Sequence, residues 1–304
     1  MNMLHHHPYA HQVLPHRVVV LGGGGFIGGA IVCRLKELGI TCISLGRPDF
    51  DLLKPDAAEK LAQTLGKQDT LVVVSAKAPC KDMIMLIKNN QMAHAVLGAL
   101  KNQPVSHVVY ISSDAVYKDS TLPLTEDSCA EPGSLHGVMH LSREVALRQE
   151  FAGPLAVVRA TLVYGLDDPH NGYGPNRFRR LAASGQEIML FGEGEELRDH
   201  VHVEDVAELV KRIILHRSVG IANAVSGQVV SFRTLADFAV KDFSSASNIK
   251  STPRNGPMPH NGLRTFDNSA VLKAFPGFRF KSWQEGLSAV HLQHISQSKQ
   301  ERAQ

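Results

Sequence analysis

From Arg17 onward, short runs of apolar and β-branched residues alternate with longer amphipathic stretches. The runs have the length of buried strands, and the stretches between them are long enough for helices. The predicted strands are Val18–Leu21, Thr41–Leu45, Thr70–Val74, His107–Ser112 and Leu155–Arg159. The predicted helices are Gly28–Leu38, Asp56–Leu65, Met83–Leu100 and Leu135–Phe151. This alternation predicts an α/β fold with a doubly wound parallel sheet, whose ligand lies beyond the carboxyl ends of the strands.

A glycine-rich loop, residues 22–29, joins the first predicted strand to the first predicted helix. Its glycines permit a tight turn, close approach of the backbone to a pyrophosphate and close packing of helix on strand, while the helix N-terminus supplies N–H groups. Because a strand precedes it and a helix follows, the loop predicts a Rossmann dinucleotide-binding site rather than a turn without a ligand. The residues expected to contact the dinucleotide here are Gly22, Gly25, Phe26, Ile27 and Gly28.

The end of the second predicted strand bears on the choice between NAD and NADP. An NAD enzyme commonly has an acidic residue there, whereas Leu45 is followed by Gly46 and Arg47. An arginine can pair with a 2′-phosphate, so NADP is slightly favoured over NAD. Asp49 or Asp51 could still reach the adenosine, and Arg47 could be a solvated loop charge, so the choice stays open.

The regular alternation ends after Tyr164, in a segment rich in Gly, Pro and Asn. We predict a Rossmann domain at 17–165, to which 200–225 return, and a smaller C-terminal substrate-binding region formed by 166–199 and 226–300. Residues 1–16 hold five histidines and two prolines. They are expected to form a disordered extension, since a metal-binding tail would need acidic or cysteine partners at fixed spacing.

Composition narrows the function classes. The chain has 304 residues, of which 43% are hydrophobic, and a net charge of +3 with both signs interspersed. It lacks the concentrated basic charge that nucleic acid or an anionic membrane requires, and no apolar stretch approaches the roughly 18 residues of a membrane span. The four cysteines form no CxxC pair. We therefore expect a soluble cytoplasmic protein without a nucleic-acid or membrane partner.

Further motifs follow the glycine loop in a fixed order. They are Asp51-Leu52, Val74-Ser75-Ala76, Ile111-Ser112-Ser113-Asp114-Ala115-Val116-Tyr117, Arg159, Val163-Tyr164-Gly165 and the segment from Leu190 to Ala207. Over about residues 17 to 290 the chain resembles the extended short-chain dehydrogenase/reductase superfamily of nucleotide-sugar epimerases, dehydratases and reductases. The resemblance implies that Asp51, Leu52 and Ala76 contact the cofactor. It also implies a homodimer built on the two helices Met83–Leu100 and Leu135–Phe151.

The same resemblance implies a nucleoside-diphosphate-sugar substrate. In many members the arginine of the segment "RDfvHV" binds the diphosphate, and Arg198 stands at that position. A planar guanidinium can hold two phosphate oxygens at once. Either Arg254 or Arg264 would supply a second phosphate-binding arginine, and Tyr164 would shape the substrate pocket. For each arginine the alternative is a salt bridge without a ligand.

The catalytic helix departs from the family's pattern. Members use a Ser or Thr together with a Tyr and, four residues later, a Lys. Ser113 matches the first, but His136 stands at the Tyr and His140 at the Lys, while Gly137 and Glu144 keep the frame. Both replacements occur together. A metal site at these two histidines would need a third ligand, and none is evident in the sequence.

Two interpretations of this helix remain. An imidazole titrates near neutrality, so His136 could replace the Tyr as acid/base, with His140 on the same helix face bonding the nicotinamide ribose. Alternatively the proton relay is lost, and the chain is a catalytically degenerate regulatory protein that binds NAD(P) or a nucleotide sugar. Asp114 lacks the glutamate that accompanies it in dehydratases, so epimerisation or ketone reduction is favoured over dehydration. We favour an NAD(P)-dependent epimerase or reductase acting on a nucleoside-diphosphate sugar.

Overall fold

A computed structural model of the chain describes residues 11–47, 50–243 and 246–303. The strands are β1 (Arg17–Leu21), β2 (Cys42–Leu45), β3 (Asp69–Val73), β4 (His107–Ser113), β5 (Leu155–Ala160), β6 (Leu162–Tyr164), β7 (Ile188–Phe191), β8 (Leu197–His202), β9 (Gly220–Ala224), β10 (Val229–Ser231), β11 (Ile249–Thr252) and β12 (Leu263–Arg264). The helices are α1 (Phe26–Lys36), α2 (Ala57–Thr64), α3 (Met83–Asn102), α4 (Leu135–Glu150), α5 (Pro175–Ala183), α6 (Val203–His216), α7 (Phe232–Phe243), α8 (Ser269–Ala274) and α9 (Trp283–Ala303).

The central sheet has six parallel strands in the order β2-β1-β3-β4-β5-β9. Because strand side chains alternate between faces, Val18 and Val20 of β1 pack with α1 and α6, whereas Val19 and Leu21 pack with α2 and α3. Helices thus cover both faces, and the predicted α/β fold with a doubly wound parallel sheet is confirmed. The chain crosses from one side of β1 to the other between β2 and β3, which opens a crevice at the carboxyl ends of β1 and β3.

The second half of the chain adds smaller sheets beside the first. β8 pairs with β6, β10 and β12, and β7 pairs with β11. α5, α7 and α9 enclose a separate apolar core that includes Phe178, Leu235 and Leu287. This arrangement places β8 and the loop before α5 opposite the carboxyl ends of the central strands.

The predicted N-terminal extension falls partly outside the described residues, which begin at residue 11. In the described part, the backbone N–H of Val13 donates to the carbonyl oxygen of Leu215 at 2.9 Å, so this stretch contacts α6. Within the ranges that the structure describes, no helix is both long and apolar enough to cross a membrane.

Candidate active site

A cavity of about 940 Å³ follows the carboxyl ends of the central strands. One end is lined by the glycine loop and by the segments after β2 and β3; the other by the end of β4, the start of α4, the loop before α5, and β8. Of the residues expected from the sequence, those that line it are Gly22, Gly25, Phe26, Ile27, Gly28, Arg47, Asp51, Leu52, Ala76, Ser113, His136, Tyr164, Arg198 and Arg264. Of the expected site residues that the structure describes, only His140 and Arg254 do not line the cavity.

The glycine loop forms a cradle that side chains would fill. Gly22 has a φ of +87°, and a Cβ there would lie 2.9 Å from the backbone nitrogen of Ser75. A Cβ on Gly28 would overlap the carbonyl oxygen of Gly22. No side chain caps the N-terminus of α1, whereas Asp82 caps α3 and Ser134 caps α4. The first N–H groups of α1 are therefore available to an anion, and this fits a dinucleotide pyrophosphate.

The segment after β2 contributes a cation and a carboxylate to the cavity. Arg47 is exposed, lines the cavity and has no hydrogen-bond or ion-pair partner within the described part of the chain. The Asp51 carboxylate accepts a hydrogen bond from the backbone N–H of Leu53 at 3.0 Å, which uses part of its capacity. Asp49, the other acidic candidate, lies outside the described residues. An exposed guanidinium without a partner in the described residues can pair with an anion of a ligand.

Ser113 and His136 reach the same cavity from different elements. Ser113 ends β4, and its hydroxyl accepts the N–H of Ala115 at 3.1 Å. His136 lies in the first turn of α4, which Ser134 caps. A Cβ on Gly137 would overlap the carbonyl oxygen of Ala115, so glycine at this position lets α4 approach the end of β4. This close packing brings the side chains of Ser113 and His136 to the same cavity.

His140 lies behind His136 rather than beside the cavity, contrary to the expected contact with a ribose. It is 6% exposed, its Nδ1 is 2.8 Å from the hydroxyl of Tyr110, and its ring meets that of His136 edge-on at 4.7 Å. Burial holds the pKa of His140 well below its ordinary value and raises the pKa of the Tyr110 hydroxyl. The cavity extends only to the first turn of α4, so the next turn faces β4 instead.

A buried ion pair fixes α4 to the sheet. The Glu144 carboxylate accepts two hydrogen bonds from Arg159 of β5, at 3.0 and 2.6 Å, and one from the Ser112 hydroxyl at 2.5 Å. The Arg159 guanidinium also lies 4.7 Å from the centre of the Tyr117 ring. These motif residues therefore position the helix that carries His136, without lining the cavity.

The candidate phosphate-binding arginines have different environments. Arg198 lines the cavity, forms an ion pair with Glu196 and donates to the carbonyl oxygen of Pro259. Arg254 pairs with the other oxygen of Glu196 at 3.0 Å and lies off the cavity. The ion pair with Glu196 thus holds Arg254 off the cavity, so it does not occupy the phosphate-binding position considered for it from the sequence.

Of the two candidates for the second phosphate-binding arginine, Arg264 is the one that lines the cavity. Its guanidinium, however, is already bonded to protein groups. Its Nε donates to the Asp114 carboxylate at 2.9 Å, its Nη1 to Asp119 at 2.7 Å, and its Nη2 to the carbonyl oxygen of Asp114. Asp114 is therefore the carboxylate partner of a buried guanidinium. The Asp114 carboxylate is thus already engaged by a protein group.

His200 was missed from the sequence. It is 2% exposed and lines the cavity, and within the described ranges both ring nitrogens lack a hydrogen-bond partner. Burial, aided by the charge of Arg198, lowers the pKa of His200 to about 3, so the ring is neutral. Asn176 Oδ1 and the Tyr164 hydroxyl are buried cavity-lining atoms that also lack partners. The sequence did offer a hint, since His200 stands where the "RDfvHV" pattern has an aromatic residue. That its ring nitrogens lack partners in the described residues depends on tertiary packing, which the sequence does not show.

No group of three or more His, Cys, Asp or Glu side chains in the described ranges is arranged to hold a metal ion.

Comparison with known proteins identifies relatives of this arrangement. The model of the NAD dependent epimerase/dehydratase family matches residues 18–225. Among solved structures, the chain is similar to UDP-glucose 4-epimerase from Thermotoga maritima with UDP-glucose, at 20% identity over 92% of this chain and 99% of that one, with a TM-score of 0.81.

Two further solved structures carry a nicotinamide cofactor. UDP-glucose 4-epimerase from Thermus thermophilus, in complex with NAD, is 22% identical over 90% of this chain and 97% of that one, with a TM-score of 0.77. RMD from Pseudomonas aeruginosa, complexed with NADPH, is 21% identical over 90% and 98%, with a TM-score of 0.75. At these identities the likeness establishes the fold.

Proposed function

The chain belongs to the NAD-dependent epimerase/dehydratase family, and from that premise we propose that it is an NAD(P)-dependent epimerase or reductase acting on a nucleoside-diphosphate sugar. The observation that carries the proposal is the single cavity in which the uncapped N-terminus of α1 meets Ser113, His136 and Arg198. A dinucleotide at one end and a sugar at the other would both fit the groups present there.

NADP is the cofactor that the residues favour. The first-turn N–H groups of α1 would bind the pyrophosphate, and Arg47 would pair with a 2′-phosphate. Asp51, Leu52 and Ala76 would contact the adenosine and the neighbouring ribose. When bound, the nicotinamide supplies a hydride acceptor or donor. The support for NADP over NAD is Arg47, which has no partner in the described part of the chain, and the sequence directly after β2, where Gly46 and Arg47 stand instead of an acidic residue.

The opposite end suits a phosphorylated sugar. Arg198 would hold diphosphate oxygens, with Glu196 fixing its orientation. Ser113 would donate a hydrogen bond to the reacting oxygen, and His136, at the family's tyrosine position, would contact the same oxygen. The buried polar atoms of Asn176 and His200 support a ligand with hydroxyl or amide groups, because each would otherwise stay unsatisfied. Similar solved structures hold UDP-glucose, which supports the nucleotide-sugar class.

A regulatory binding protein is the second candidate. The observations that favour it are the withdrawal of His140 from the cavity and the pairing of Asp114 with Arg264. Both remove groups that could move a proton. This candidate predicts binding of cofactor and nucleotide sugar without turnover.

We further propose a homodimer. Large apolar side chains are exposed on α3 at Met83, Ile84 and Ile87 and on α4 at Val138 and Val145. The two helices pack together, and the Ser142 hydroxyl of α4 donates to Asn90 of α3 at 3.0 Å. A second copy of the same helices would cover these side chains isologously.

The function is tested by turnover of a panel of UDP- and GDP-sugars with NADP⁺ or NADPH, followed by absorbance of the nicotinamide and by chromatography of sugar epimers. We expect Ser113→Thr, which keeps the hydroxyl, to retain turnover. Ser113→Ala should lower it by about 10²-fold or more, because a positioned donor at the reacting oxygen is lost. Binding of both ligands without any turnover would support the regulatory protein, and binding of neither would contradict both candidates.

A further inference from the structure

The ring of His136 is held at one nitrogen by the backbone. The N–H of Cys80, in the loop before α3, donates to His136 Nδ1 at 3.4 Å. A backbone N–H is always a donor, so Nδ1 must present its lone pair. A neutral imidazole with a lone pair on Nδ1 carries its proton on Nε2. The hydrogen bond therefore selects one tautomer of this residue.

The protonated nitrogen is the one left for a ligand. His136 lines the cavity, and its Nε2 has no hydrogen-bond partner within the described ranges. In this tautomer Nε2 offers an N–H and no lone pair. The side chain can donate a hydrogen bond to an oxygen in the cavity, but it cannot accept a proton from a hydroxyl there.

Several groups around His136 oppose its positive charge. The residue lies in the first turn of α4, where the helix dipole disfavours a cation. Burial of the ring also lowers the pKa of His136. Asp114 raises the pKa, but its carboxylate is paired with Arg264. His140 and the Cys80 thiol, also nearby, stay neutral, since burial lowers the pKa of the first and raises that of the second.

Protonation of His136 has a further cost in geometry. A cationic imidazole carries an N–H on Nδ1, which would point at the N–H of Cys80. One of the two donors would then be left without a partner, which disfavours the cation. The neutral state with the proton on Nε2 is the one that satisfies the backbone.

We propose that His136 is a fixed neutral hydrogen-bond donor that polarises a carbonyl oxygen of the substrate, and that it does not shuttle a proton. The assignment rests on the proposed function for the identity of the oxygen, but the tautomer itself does not. A neutral imidazole serves as such an electrophile in other enzymes whose helix N-terminus suppresses its charge. The substrate class that matches this donor is a nucleotide sugar with a ketone, because a ketone oxygen accepts and never donates. On reduction, that oxygen would take up its proton from solvent water, and the Nε2–H would keep its own proton.

The tautomer is measured directly by long-range ¹H–¹⁵N correlation NMR on protein with ¹⁵N-labelled histidines, without cofactor or substrate. The signals of His136 are identified by their loss in His136→Gln. We expect a neutral ring protonated on Nε2 at pH 7 and above, with a titration midpoint below the ordinary value for histidine. A proton on Nδ1, or a titration with a midpoint of about 6.5, would overturn the proposal whether or not the chain proves to be an enzyme.

Turnover separates donation from proton transfer. His136→Gln keeps an N–H donor that cannot shuttle a proton, and we expect it to lower turnover of a keto-sugar nucleotide by about tenfold or less. His136→Ala should lower it by about 10²–10³-fold, the cost of removing one donor to a developing oxyanion. If Gln is as poor as Ala and the parent's rate falls with a pKa of about 6.5, His136 transfers a proton and the proposal is wrong.

Discussion

At the scale of single residues, buried neutral imidazoles make the free energy of unfolding depend on pH. Burial lowers the pKa of His107 to about 4 and that of His200 to about 3. In the unfolded chain each ring would titrate at about 6.5, so the unfolded state takes up protons first as the pH falls. Stability is complete above pH 6.5 or so and is lost as the pH falls from there towards the folded pKa.

His200→Phe removes one of these rings and restores the aromatic residue found in related patterns. Between about pH 7.5 and 5, we expect the parent to lose about 2 kcal/mol more of its free energy of unfolding than this variant, from urea denaturation. The matched control is His294→Phe, which makes the same exchange of residue types at an exposed position of α9. An identical pH dependence in His200→Phe and the parent would show that His200 is not buried and neutral.

Site residues differed in how far the sequence could predict them. Ser113 and His136 were placed in one cavity because a motif frame specifies both. The frame could not show that His140 faces Tyr110, nor that Glu196 holds Arg254 off the cavity. Which side of an element meets the ligand depends on partners distant in the sequence. The proposed tautomer of His136 is even less predictable from the sequence, since it depends on one backbone N–H from the loop before α3.

At the scale of elements, the first half of the chain, in which strands and helices alternate, could be predicted from the sequence, and the second half could not. Strands β1 to β5 and helices α1 to α4 follow local periodicity, and their bounds differ from the predicted ones by two residues or fewer. Several later strands are very short; β12 has two residues. It pairs with β8, more than 60 residues earlier in the chain. Pairing of this kind leaves little periodic signal in the sequence.

Helices α3 and α4 carry the proposed dimer interface. Ile84→Glu would bury a carboxylate against apolar side chains of the second copy, and we expect it to weaken dimerisation by at least about 100-fold. Light scattering after size-exclusion chromatography should show two chains per particle for the parent and one for the variant. Leu292→Glu on α9 is the control, because Leu292 is exposed to a similar degree, 64% against 65%. A parent that is monomeric, or a variant that stays dimeric, would exclude this interface.

At the scale of the whole molecule, one cavity unites the two halves of the chain. The central sheet contributes the glycine loop, Arg47 and Ser113, and the C-terminal half contributes Arg198 and His200. Arg264 joins the halves, since it reaches from β12 to Asp114 beyond the end of β4. The account therefore depends on a dinucleotide occupying the glycine cradle at one end of that cavity.

Affinity for NADPH in a loop variant tests this claim most directly. Gly24 lines the cavity, and a Cβ there meets nothing within 4 Å, so Gly24→Asp should fold normally. Its carboxylate would face the bound pyrophosphate at a cost of about 3 kcal/mol, or about 100-fold in affinity. Gly133→Asp is the control, since Gly133 also has open space and lies off the cavity.

The measurement is the dissociation constant from the fluorescence of bound NADPH, repeated with NADH. We expect the parent and Gly133→Asp to bind NADPH equally and more tightly than NADH, and Gly24→Asp to bind both at least about 100-fold more weakly. Failure of the parent to bind either cofactor, or equal binding by Gly24→Asp and the parent, would contradict a dinucleotide site in the glycine loop.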